Sequence, residues 1–112
     1  MTVAKQLGAL KSLADMILDQ RLITLRAAQS ACAETRSKLA GLDGQGAVDD
    51  CALVIAAAAD LRYQTWADLR RKDLNMQLAR QTVVALEASD AARLAFGKQN
   101  VLAKLQARKS LK

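Results

Sequence analysis

The chain has 112 residues, room for one domain with one modest core. Hydrophobic letters make up 52% of it but aromatics only 3%, and proline and histidine are absent. That profile excludes an all-β fold and removes the commonest general base and metal ligand. The net charge of +6 is unevenly placed: residues 88–112 carry six cations against Asp90 alone, whereas the stretches before them are close to balance. A basic end of this kind expects an acidic protein, a nucleic acid or an anionic membrane, or else is a solvated, frayed terminus.

The N-terminus is periodic and interrupted by charge, with no unbroken apolar stretch or cleavage signal, so no targeting segment is expected. Helix one is predicted from about Val3 to Ala40. Leu7, Leu10, Ala14 and Ile17 set a heptad seam that drifts, like a stutter, to Leu18, Leu22, Leu25, Cys32 and Leu39. Gly41, Gly44 and Gly46 then fall close together. Gly41 suits the left-handed residue that closes a helix, and Asp49 and Asp50 suit the first turn of the next one. Residues 41–47 are therefore the expected turn.

Helix two is predicted from about Val48 to Arg108. Ile55, Ala59, Trp66, Leu69, Met76 and Val83 mark its seam, with Arg62, Asp73 and Arg80 interrupting, and Leu94, Val101, Leu102 and Leu105 continue an apolar stripe. The run Cys51–Ala59 is far short of the ~20 residues that span a bilayer. Cys32 and Cys51, without a secretory signal, read as free thiols that fill small apolar gaps, although a hairpin would bring them to similar heights.

The expected fold is all-α, an antiparallel two-helix coiled-coil hairpin with unequal helices, roughly 55 Å and roughly 90 Å long. With the turn centred near Gly44, opposed residues have numbers summing to about 88. The basic segment after about Glu87 then projects beyond helix one by roughly 35 Å. The alternative is a short three-helix bundle in which Ser89 caps a third helix and Gly97 bends the chain.

No catalytic chemistry is legible. The cysteines lack a Cys-x-x-Cys spacing and a histidine partner, and adjacent Asp49 and Asp50 point about 100° apart on a helix. The expectation is a non-enzymatic protein without metal or cofactor. Arg70, Arg71 and Lys72 form a basic triplet that could lie along RNA, yet Asp68 and Asp73 flank it as they would on a solvated helix face. Tyr63 and Trp66, three apart, either pack against helix one near Arg21–Leu25 or form a surface contact site.

Tyr63-x-x-Trp66-x-x-Leu69, the long following helix and the basic tail Ala92–Lys109 resemble the small coiled-coil subunit of the type III export ATPase complex, the flagellar FliJ family with its YscO-type injectisome counterparts. That resemblance implies a cytoplasmic stalk, peripheral to the inner membrane, that enters the pore of a hexameric export ATPase and touches the export gate and export chaperones. It implies that Arg93, Lys98, Lys104, Arg108 and Lys109 meet the ATPase. Tyr63, Trp66, Arg70 and Arg71 would then be available to the gate or a chaperone. The alternatives are a basic hairpin that binds RNA or the ribosome, and a self-associating structural or chaperone coiled coil.

Overall fold

A computed structural model describes residues 2–43 and 53–110. Two helices hold nearly all of them: α1, Val3–Asp43, and α2, Leu53–Ser110. The fold is the all-α antiparallel hairpin with unequal helices, 41 residues against 58. Contacts divide it into a terminal unit, Met1–Gln29 with Val84–Lys112, and a connection unit, Ser30–Val83.

Thr2 starts α1. Its carbonyl accepts from the Gln6 amide, as in any helix, and from the Lys5 amide, which also lies 3.4 Å from its hydroxyl, so a first-turn donor that the helix leaves unpaired is occupied. Gly41 does not close the helix. No described glycine has a positive φ, and α1 continues to Asp43. The continuation places Leu42, 7% exposed, on the buried face three residues after Leu39. At the other terminus, Arg108 and Lys109 lie in the last turn of α2, where the exposed carbonyls favour cations. α2 runs unbroken through Ser89 and Gly97, so the three-helix alternative is not the fold. Asp49, Asp50 and Cys51 lie outside the described residues.

The inward seam of α1 is regular: Leu7, Lys11, Ala14, Leu18, Leu22, Leu25, Ala28, Cys32, Thr35, Leu39 and Leu42 are buried or half-buried. There is no stutter. Leu10 and Ile17, expected inside, are 50% and 43% exposed, and Lys11 takes a seam position with its ammonium 3.3 Å from Asp15. On α2 the expected seam faces outward: Ile55, Trp66, Leu69, Met76 and Val83 are all at least half exposed. The buried row is small instead, with Ala67, Leu74, Ala88, Ala92 and Ala95 at 8% exposure or less.

The pairing register also differs from the expected one. In the terminal unit a Cβ on Gly8 would meet the Gln106 amide. In the connection unit Thr35 bonds Gln81, Tyr63 bonds Leu42 and Arg71 pairs with Asp43. These pairs sum to between 105 and 116, not 88. Val3 therefore lines a groove with Arg108 and Lys109, and the basic segment is paired along its length instead of projecting. The surplus length of α2 lies at the connection end, where residues before about Tyr63 continue past α1.

Candidate docking faces

At the connection end, α2 holds the C-terminus of α1. The Tyr63 hydroxyl donates to the Leu42 carbonyl at 3.0 Å, one of the last-turn acceptors that the helix itself leaves unpaired. Arg71 bridges the Asp43 carboxylate at 3.1 Å and Asp68, one turn earlier on its own helix, at 2.9 Å. Tyr63 and Arg71 are thus tied to α1, and Tyr63 meets Leu42 rather than the Arg21–Leu25 region. Trp66 and Arg70 are exposed. The Trp66 ring lies 5.8 Å from that of Tyr63 at a tilt of 42°, so the inward-turned tyrosine gives an outward-turned tryptophan a flank to rest on. The four residues sharing a sequence neighbourhood therefore divide into two that fix the hairpin and two that present a surface.

In the terminal unit, Arg93, Lys98, Lys104, Arg108 and Lys109 are all exposed. They do not form one patch. Advancing about 100° per residue, Arg93 and Lys104 fall on one side of the Leu94–Val101–Leu105 row and Lys98 and Lys109 on the other. The row with its bordering cations lines two shallow concavities, one including Leu94, Lys98 and Val101 and the next Val101, Leu105 and Arg108. Leu94, Val101 and Leu105 are the residues that charge counting passed over. Their heptad-like spacing was visible, but it reads equally well as an inward seam.

Large apolar side chains are exposed on both helices, including Met16, Ile23, Ile55, Leu61, Val84, Leu86 and Phe96. A water-soluble rod normally keeps such residues inside, and contiguous stripes of them mark contact surfaces. Among the described residues no group of three His, Cys, Asp or Glu side chains is placed to hold a metal, and no helix is long and apolar enough to cross a membrane. Cys32 is a buried free thiol. The class these features define is a two-helix coiled-coil hairpin with unpartnered apolar and basic faces. No family model, curated protein or solved structure matches the chain.

Proposed function

We propose that this chain is a non-enzymatic coiled-coil subunit that works by docking partners along its outer faces. Our more particular reading is a stalk of a bacterial type III export apparatus that binds the hexameric export ATPase and the export gate. The observation that carries the general reading is the inversion of α2, which turns Trp66, Leu69, Met76 and Val83 outward while alanines fill the seam. The particular reading rests on the resemblance of the Tyr63–Leu69 motif and the basic tail.

The register alters how such a stalk would work. A bare single-helix extension is not available, because the segment that would enter the ring is paired with α1. The entering end is then two helices thick, and its five cations form a collar that suits an acidic pore lining. Exposed Trp66 and Arg70 remain for the gate or a chaperone. In an assay of ATP hydrolysis by the export ATPase, the chain should stimulate turnover, and R93E/K104E/R108E should abolish stimulation with helicity intact. Unchanged stimulation by that variant removes the collar from the mechanism. Self-association is the second reading, favoured by the exposed stripe Trp66–Val83, and sedimentation showing a stable dimer that M76D dissolves would replace the stalk with it.

A further inference from the structure

In the terminal unit the line of α2 farthest from α1 carries its charges in a fixed order. Advancing about 100° per residue, Gly97 lies roughly 140–180° around the helix from the buried Ala88, Ala92 and Ala95. Asp90, Leu94, Val101, Lys104 and Arg108 all fall within about 60° of Gly97, and Glu87 joins them at the edge. Exposed carboxylates thus hold one end of the line and exposed cations the other. Leu94 and Val101, 68% and 57% exposed, stand between them.

Gly97 leaves a notch in the middle of the line. A Cβ there would meet nothing within 4 Å, and the residue has no positive φ. Nothing within the chain therefore asks for glycine, which costs a helix interior about 1 kcal/mol against alanine. Leu94, Gly97, Lys98 and Val101 have the i, i+3, i+4, i+7 spacing of the four-cornered hole that receives one side chain in a coiled coil. All four line one shallow concavity. The absent side chain lets a second helix come close at that point.

We infer that this line pairs antiparallel with the same line of a second copy, about a two-fold axis midway between Leu94 and Gly97. Each Leu94 then enters the Gly97 hole of the other copy. Asp90 comes within about 5 Å, along the axis, of both Lys98 and Lys104 of the second copy, and Glu87 comes level with its Lys104. At the edges Arg93 meets Asn100 and Lys98 meets Ala91, so no like charges are opposed. The charge order selects this occupant. An anionic lipid or a nucleic acid would set like charge against Glu87 and Asp90, and a parallel pairing would set every charge against itself. A covering helix must bring cations to one end, carboxylates to the other and an aliphatic side chain between, and α2 reversed supplies all three. One row is well short of the ~20–30 residues a side of a standard interface, so the dimer is reversible. The inference goes beyond the export reading and does not rest on it.

The test is sedimentation of the full chain over a concentration series, where a reversible monomer–dimer equilibrium is expected. G97L fills the hole, so it should abolish the dimer while circular dichroism shows helicity kept, because leucine favours helix and has free space there. E87K/D90K and K98E/K104E should each weaken the dimer more than about tenfold when alone. Mixed in equal amounts, the two variants should restore it, because every reversed charge of one then faces an opposite charge of the other. A chain that stays monomeric at every concentration overturns the inference and leaves a different protein as the occupant. A dimer that G97L leaves intact but M76D dissolves overturns it in favour of the Trp66–Val83 stripe. A mixture that stays as monomeric as its components overturns the antiparallel pairing. The readout contains no ATPase, so failure here is distinct from failure of the stalk.

Discussion

Thr35 and Gln81 offer the sharpest test of the register, because they are 46 residues apart in sequence and touch across the seam. Thr35 is 1% exposed, and its hydroxyl lies 2.6 Å from Gln81 Oε1 and 3.1 Å from the Ala31 carbonyl. One hydroxyl proton cannot serve both acceptors fully. The pair is satisfied if the Gln81 amide turns so that its NH2 donates to Thr35 while Thr35 donates to Ala31. Either way a single hydrogen bond joins the helices. T35V keeps the side-chain shape and barely changes helix propensity, so its cost is that bond, about 1 kcal/mol. Gln81 is half-buried and can turn toward water, which keeps the cost at the lower end. For a chain of this size that lowers Tm by about 4–8 °C. Q81L should cost a similar amount, and T35V/Q81L should recover most of the loss, because two apolar groups leave nothing unpaired. Thermal and urea unfolding followed by circular dichroism then give a coupling energy of about 1.5–2 kcal/mol. Additive single effects, within about 0.5 kcal/mol, would mean that the two side chains do not meet and that the register is wrong.

Leu74, 1% exposed, is the largest fully buried side chain, and L74A should cost about 3 kcal/mol in the same unfolding assay; a loss below ~1 kcal/mol would mean the seam is open there. A92L should also destabilise, by about 1–3 kcal/mol, since Ala92 is only 6% exposed and an isobutyl group there must displace its neighbours, whereas stabilisation would reveal a void. Cys32, 5% exposed, should react with a thiol reagent only as fast as the hairpin opens, so labelling should accelerate in urea; immediate modification of Cys32 in a C51S background would contradict its burial. R71A should cost less than about 1 kcal/mol and the loss should shrink in high salt, because Asp43 and Asp68 are both well exposed; a larger, salt-independent loss would show that Arg71 acts by packing instead.

The two-helix fold was legible because absent prolines, one glycine-rich break and many helix formers leave few other architectures. Most of the α1 seam was legible too, since Leu18, Leu22, Leu25, Cys32 and Leu39 combine apolar character with regular spacing. Thr35 was missed because a polar letter carries no seam signal until its partner is known. On α2 the apolar letters point to the wrong face for a physical reason. Alanine's small methyl barely distinguishes an inward row from an outward one, so Trp66, Leu69 and Met76 dominated the pattern although they face out. The register failed separately, from centring the turn on the glycines. Lengthening a connection costs little, only logarithmically with loop length, so contacts such as Thr35–Gln81 can fix the offset against the shortest possible turn. Of the candidate site residues, the five tail cations were legible by counting, but their division into two borders needed the pairing.

The inversion of α2 raises the question of why the helix does not roll over and bury its larger row. Fully burying Trp66, Leu69, Met76 or Val83 would gain about 1.5–3 kcal/mol each, well above what an alanine offers. The same outward face carries Arg62, Asp73 and Arg80, all exposed. Turning it onto α1 would bury Asp73 and Arg80 against a seam whose nearest residues, Thr35, Leu39 and Leu42, supply no opposite charge, while Arg62 lies past the end of α1. The penalty is several kcal/mol for each unpaired ion, so two ions offset most of what the apolar side chains would gain. Buried charge thus opposes the roll that hydrophobicity alone would favour. The same account constrains whatever covers this row: it must bring carboxylates to Arg62 and Arg80 and a cation to Asp73, with apolar side chains between them. A uniformly acidic surface meets only part of that pattern, which separates the chemistry of this face from that of the basic terminal unit.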